Sequence, residues 1–110
     1  MIATIIKRDG RTSEFDKTKI TDAIEKAFQA SGAMQDRSVA EDITNLVMEK
    51  LEGGAIEGTP TVEGIQDLVE QALIESNFGQ TAKAYILYRA ERNRVRDVNS
   101  RLVQTLKDIT

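Results

Sequence analysis

The 110-residue sequence contains no cysteine and no histidine. The first absence excludes disulfides, thiolate zinc sites, iron–sulfur clusters and cysteine nucleophiles. The second removes the imidazole needed for a catalytic triad and the commonest transition-metal ligand. Tryptophan is also missing, and aromatic residues make up only 5 % of the chain. The core must therefore be built from Ile, Leu, Val and Ala, a composition suited to packed helices. No apolar run approaches the ~20 residues of a membrane span or forms a signal-peptide core. Met1 leads directly into a strand pattern, so the expected location is the cytoplasm. There is no internal repeat and no low-complexity segment.

Hydrophobic residues at 40 % and charged residues at 30 % fit a folded chain of one domain. The net charge of −3 is unevenly spread. Residues 1–19 hold five basic and three acidic groups, residues 20–78 three and twelve, and residues 79–110 seven and three. Positive charge thus collects at the two ends of an acidic chain. A fold that joined those ends would make a local cationic pocket, better matched to a compact polyanion than to a long nucleic acid.

Residues 2–7 and 12–15 favour strand and flank Arg8-Asp9-Gly10-Arg11, a hairpin signal in which Gly10 takes a positive φ. Asp16 then reads as the N-cap of a helix over 17–31, with Ile20, Ala23, Ile24, Ala27 and Phe28 on one face. A second helix is expected over 36–52, ended by Gly53-Gly54. Ala55-Ile56-Glu57 reads as a short third strand. Thr59-Pro60-Thr61 supplies an N-cap and a proline near the first turn of a helix over 61–76. A fourth helix is expected over about 80–97. Residues 98–109 continue its period with Val98, Leu102, Leu106 and Ile109, without a Gly or Pro stop, as in a helix leading into further chain. These elements predict an α+β domain, a small helical bundle capped by a little sheet.

Three features bear on chemistry. Gly53 to Thr59 has the glycine spacing of a P-loop, but Thr59 and Pro60 stand where Lys and Ser/Thr are required, so it reads as a helix stop. Lys17 and Lys19 lie at a helix N-terminus, where the macrodipole disfavours cations by about 0.3–1 kcal/mol each. Two lysines there, close to Lys7 and Arg8 of the hairpin, suit an anion site better than a stability choice. On the fourth helix Tyr85, Tyr88, Arg89, Arg92 and Arg96 share roughly one face, able to hold phosphates and to stack on a base. The acidic residues read as solvated helix faces, with no pair set apart as a general acid and base. No active site is legible.

Taken together, Ile5-Ile6-Lys7-Arg8-Asp9-Gly10, Phe15-Asp16-x-x-Lys19-Ile20, Thr59-Pro60-Thr61 and Ala84-Tyr85-x-x-Tyr88-Arg89 resemble the ATP-cone over residues 2–97. This is the regulatory nucleotide-binding domain of many ribonucleotide reductases. The run from Tyr88 to Arg92, followed by Arg96-Asp97-x-Asn99-Ser100-x-Leu102, looks most like the anaerobic, glycyl-radical class, with the coenzyme-B12 class next. ATP-cone repressors of reductase genes also carry the domain, but behind a four-cysteine zinc ribbon that has no counterpart in this sequence.

The resemblance implies a four-helix bundle capped by a small three-stranded mixed sheet, with residues 1–97 as the nucleotide-binding domain. Residues 98–110 would begin a helical connector to a catalytic region. It also implies a regulatory rather than catalytic role: ATP as activator and dATP as inhibitor, accompanied by Mg²⁺, with dATP altering homo-oligomer contacts. By position Ile5, Lys7 and Arg8 match the strand and turn beside the nucleotide, and Lys19 matches a phosphate-contacting lysine. Phe15 and Ile20 match apolar neighbours of the adenine, and Thr61 matches the start of the third helix near base or phosphates. Lys83, Tyr88 and Arg92 follow by analogy on the fourth helix. Ser13 departs from members with an acidic residue there, which bears on the ribose contact, and alternation points Glu14 to the other face. The alternatives from other classes are a small nucleic-acid-binding module using the arginine face and an oligomerisation domain using Val98 to Ile109.

Overall fold

The computed structural model describes residues 4–7, 9–33 and 35–109, with side-chain surroundings as far as Arg94. Strands β1 (Thr4–Ile6) and β2 (Thr12–Glu14) pair antiparallel, with Ile5 opposite Ser13. Helices α1 (Lys17–Ser31), α2 (Arg37–Glu52), α3 (Val62–Glu75) and α4 (Gly79–Ile109) follow. Each helix packs on the next, and α4 returns to α1, closing a ring of four. The fold class is α+β, as the patterning predicts.

The hairpin turn forms because Gly10 adopts φ +87°. Lys7 N–H donates to the Arg11 carbonyl at 2.7 Å and Gly10 N–H to the Lys7 carbonyl at 2.9 Å, a three-residue loop with its left-handed residue last. Asp9 braces it by accepting from Arg11 N at 3.0 Å and from Arg11 Nε at 2.8 Å. Asp16 caps α1, its Oδ1 accepting from Thr18 N at 3.0 Å and from Thr18 Oγ1 at 2.6 Å. Gly32 ends the helix in the left-handed region at φ 76°.

The expected third strand at Ala55-Ile56-Glu57 is not formed, so the sheet has two antiparallel strands and not three mixed ones. Gly54 and Gly58, at φ 87° and 69°, bend the chain on either side of the segment. Ile56 instead turns inward and rests on Gly64 of α3, where an added Cβ would lie 3.0 Å from Ile56 Cδ1. The parallel contact to β1 comes slightly later, as a single bridge between Ile6 and Thr61, with Ile6 N–H donating to the Pro60 carbonyl at 2.9 Å. Thr61, not Thr59, is the N-cap of α3, its Oγ1 accepting from Gly64 N at 3.0 Å. Pro60 lies outside the helix and is buried.

Ile24 and Phe28 of α1, Val47 of α2, Val69 and Leu73 of α3 and Tyr85 of α4 form the centre of the core. Phe28 meets Phe78 edge to face, with centroids 5.1 Å apart. Ile5, Phe15 and Ile20 close the hairpin end of this core, half-buried. Between α1 and α2 the hydroxyls of Thr21 and Thr44 are buried and bonded at 2.7 Å, and Thr44 also donates to the Ala40 carbonyl at 2.9 Å. Among the described residues no helix is long and apolar enough to cross a membrane.

The Asp16 cap makes part of the stability depend on acid. Its hydrogen bonds from the Thr18 side chain and backbone, helped by the nearby charge of Lys19, hold its carboxyl below the ordinary aspartate value of 3.8. Asp9 is lowered likewise, first by its backbone hydrogen bond from Arg11 and then by the Arg11 side chain. A depressed carboxyl binds fewer protons in the folded state than in the unfolded one. Its stabilisation is complete above the ordinary value and is lost as pH falls through the lower, folded one. Urea unfolding midpoints measured from about pH 5 down to about pH 2.5 should therefore fall most steeply below about pH 4, and Asp16→Asn should flatten that fall. Identical acid profiles for the two proteins would contradict this origin.

Candidate functional site

Three contacts fix how α4 lies on α1. Phe28 meets Phe78, Ser31 Oγ lies 3.1 Å from Thr81 Oγ1, and Lys26 Nζ sits 5.8 Å above the Tyr88 ring. As numbering falls along α1 it rises along α4, so the two helices run antiparallel. Arg92 lies one turn past Tyr88, about 6 Å along the axis, and Lys19 about 10 Å past Lys26 in the same direction. The cationic stretches from the two ends of the sequence therefore meet at one end of the bundle, beside the start of α1.

The same end holds the start of α3 and the hairpin. The Ile6 to Thr61 bridge places β1 against the first turn of α3. Phe15 and Asp16 carry the chain from β2 directly into α1. Ile5 and Ser13, paired across the hairpin, share its half-buried face, while Glu14 is exposed, as alternation requires. The structure thus brings together Ile5, Lys7, Phe15, Lys19, Ile20, Thr61, Tyr88 and Arg92. Two helix N-termini, α1 and α3, add their partial positive charge to this end. Lys7, Lys19 and Arg92 are exposed, and among the described residues no carboxylate forms an ion pair with them. Arg8 lies outside the described residues.

Lys83 is not part of this group. It stands in the first turns of α4, nine residues or about 13 Å before Arg92, at the opposite end of the bundle. There it borders a shallow open depression of about 470 Å³ with Ala33, Phe78 and Gln80.

The arginine and tyrosine face expected on α4 divides among three neighbours. Tyr85 points into the core, where burial raises its phenol pKa well above the ordinary value. Tyr88 turns toward α1 and Lys26. Arg89 turns toward α3, where Nη1 donates to Asp67 Oδ1 at 2.8 Å and to Glu70 Oε1 at 2.7 Å, and Nη2 to the Glu63 carbonyl at 3.3 Å. Arg89 is thus a structural clasp between α3 and α4. Arg92, seven residues after Tyr85 and so on its stripe, stands where the inward face of α4 emerges into solvent.

One polar group here carries no mark in the sequence reading. Gln66 Oε1 is sealed from solvent and has no hydrogen-bond partner. Its signal is a polar residue interrupting the apolar stripe Val62, Val69 and Leu73 of α3. Among the described residues there is no cluster of three or more acidic side chains able to hold a metal ion.

The model of the ATP cone domain family matches residues 3–94. The chain is 40 % identical over 104 residues to the vitamin B12-dependent ribonucleoside-diphosphate reductase of Thermoplasma acidophilum, covering 88 % of this chain and 13 % of that one. It is 38 % identical over 101 residues to the ribonucleoside-diphosphate reductase subunit alpha of Chlamydia pneumoniae, covering 86 % and 10 %. It is 29 % identical over 109 residues to the anaerobic ribonucleoside-triphosphate reductase of Escherichia coli, covering 99 % and 15 %. The chain therefore spans a small fraction of each relative. With a family match over nearly its whole described bundle, from the hairpin to the turn of α4 that carries Arg92, the chain belongs to the ATP-cone domain family.

Proposed function

We propose that this chain is the allosteric effector domain of a ribonucleotide reductase, binding ATP as activator and dATP as inhibitor and having no catalytic activity of its own. The observation that carries the reading is the meeting of Lys7, Lys19 and Arg92 at one end of an otherwise acidic bundle, beside the N-termini of α1 and α3. A triphosphate is a compact polyanion that suits such a pocket, and it would bring its Mg²⁺ with it. Lys19 and Arg92 hold the phosphates, Ile5, Phe15 and Ile20 flank the adenine, and Thr61, Lys7 and Tyr88 complete the walls. Residues 1–97 form the effector domain, and residues 98–110, helical as far as Ile109, lead toward the catalytic domain.

ATP and dATP differ by one hydroxyl, so charge cannot distinguish them. An unpaired polar group costs about 1–3 kcal/mol when buried, enough to favour one ligand or one conformation. The effector then acts only through its differential affinity for two states of the whole enzyme, with dATP shifting contacts between copies. The anaerobic class is supported by an alignment that runs through 99 % of this chain, including the stretch after Arg96. The B12-dependent class is a second reading, supported by the 40 % identity.

Calorimetric titration of the chain with ATP, dATP and GTP in the presence of Mg²⁺ tests the proposal. Saturable binding of ATP and dATP at one or two per chain, without release of phosphate, is expected. Absence of binding, or hydrolysis that follows the pure protein, refutes it.

A further inference from the structure

Three large apolar side chains are left exposed among the described residues, Ile74 on α3 and Ile86 and Leu87 on α4. They lie close together. Arg89 binds Glu70, one turn before Ile74 on α3, and Ile86 stands three residues before Arg89 on α4. Both isoleucines therefore adjoin the seam that Arg89 closes. Leu87, at 71 % exposure, is the most open of the three and points away from the core. It shares the outer face of α4 with Lys83, Ala90, Glu91 and Arg94, all exposed. A lone surface leucine is ordinary, whereas a group of large apolar side chains rimmed by charge marks a contact surface. The charges on this face have an order. Lys83 stands four residues before Leu87 and Glu91 four residues after it, so reversing the helix about Leu87 exchanges the two. A second α4 laid antiparallel on the first, Leu87 against Leu87, sets Lys83 against Glu91 twice and Arg94 near Gln80 twice. Among the described residues no carboxylate pairs with Lys83, and Glu91 pairs with Arg94 while staying exposed. In that register the partner helix, which continues to Ile109, runs on past Gln80 and over the depression bordered by Phe78, Gln80 and Lys83.

We propose that the outer face of α4 docks on the same face of a second copy of this chain, as an antiparallel twofold pair centred on Leu87 and held in register by two Lys83–Glu91 ion pairs. The pair needs no nucleotide. Arg92 lies on the inward stripe of α4 and not on this face, so Lys7, Lys19 and Arg92 stay open when two copies meet. Antiparallel packing sets the two Arg92 turns about 15 Å apart along the axis. From Gln80 to Arg94 the contact is about 21 Å long. That length falls at the small end of specific interfaces, so the pair is weak, with a Kd between about 1 μM and 1 mM. Exposed ion pairs add little strength, and their part here is to set direction. A parallel pair with the same leucines opposed would place lysine on lysine and glutamate on glutamate. Lys83, far from the phosphates, thus has a place on the opposite side of the helix.

Sedimentation of the chain without nucleotide, at concentrations up to about 1 mM, tests the pairing. The average mass of the wild-type chain should rise from 12.2 kDa toward twice that value as concentration increases. Lys83→Glu and Glu91→Lys should each weaken the pair by at least about tenfold, since each sets like charges together across the twofold axis. An equimolar mixture of the two variants should pair as the wild-type chain does, because opposite charges then meet at both contacts, and the double variant should do the same. A wild-type chain that stays monomeric overturns the proposal. So do single variants that pair as well as the wild type, or a mixture that regains nothing. If either variant does not fold, the lack of native cysteine supplies a second measurement. With oxidised glutathione, which takes up the two electrons and two protons, Leu87→Cys should form a disulfide-linked dimer at least about tenfold faster than Glu49→Cys on the exposed face of α2. Equal rates overturn the pairing. Because both measurements are made without nucleotide, their failure leaves the effector reading standing.

Discussion

Lys19→Glu is expected to weaken ATP binding by at least about tenfold, or about 1.4 kcal/mol, while leaving the ligand-free domain as stable as before. The two effects separate because they arise from different fields. Without ligand, Lys19 is exposed in the first turn of α1, a turn with no acidic residue and with Asp16 as its cap. A cation there opposes the helix dipole, so a carboxylate in its place should gain a few tenths of a kcal/mol. With ligand, the same carboxylate faces a triphosphate and an attraction becomes a repulsion. Lys17→Glu is the control, with the same gain from the dipole. It sits about 200° round the helix from Lys19, away from the turn of α4 that carries Arg92, so its affinity should be nearly unchanged. Calorimetry reads the affinity and thermal denaturation the stability. Full affinity in both variants, or unfolding of Lys19→Glu, places the phosphates elsewhere.

The largest loss of stability is expected from Arg89→Leu, about 2–3 kcal/mol. The Arg89 side chain is only 17 % exposed and Glu70 only 23 %, so removing the guanidinium strands a half-desolvated carboxylate. The figure stays below the ~3–5 kcal/mol of a fully buried pair because Asp67 is 61 % exposed and regains water. At ~4–8 °C per kcal/mol for a domain of this size, the melting temperature should drop by roughly 10–20 °C. Arg89→Lys should fall between the two, since it keeps the charge and loses the fork that spans both carboxylates. A drop of under ~0.5 kcal/mol for Arg89→Leu would mean that the clasp is no stronger than an exposed ion pair. The Arg37 contacts with Asp22 and Glu25 provide that comparison, because Arg37 is 47 % exposed.

The helices were legible because period and punctuation agree along the chain. Asp16, Gly32 and Thr61 each carry a stop or start signal next to an apolar stripe, and each performs that role. Ala55-Ile56-Glu57 looks like a strand fragment because a β-branched residue stands at the centre of a short segment bounded by glycines. What decided the outcome was the pair of left-handed glycines beside it and the space over Gly64, neither of which a window of three residues contains. The cationic site was legible at Lys19, where the dipole makes a lysine costly. On α4 a single helical wheel could not assign Tyr85, Tyr88 and Arg89 to different neighbours, since all three lie within about 100° of arc and only the positions of α1 and α3 tell them apart. Lys83 illustrates the same limit, as a lysine on the right helix but at its far end.

Helix α4 is 31 residues long, about twice the length of any other helix in the fold. The Arg89 clasp grips it about a third of the way along, and roughly 30 Å of helix lies between that grip and Ile109. A rod held at such a point behaves as a lever arm. A tilt of about 5° about Arg89, too small to disturb the hydrogen bonds that hold it, sweeps the far tip through roughly 2–3 Å. Arg92 is only one turn from the fulcrum, so a displacement of a few tenths of an ångström there is magnified several-fold at the other end.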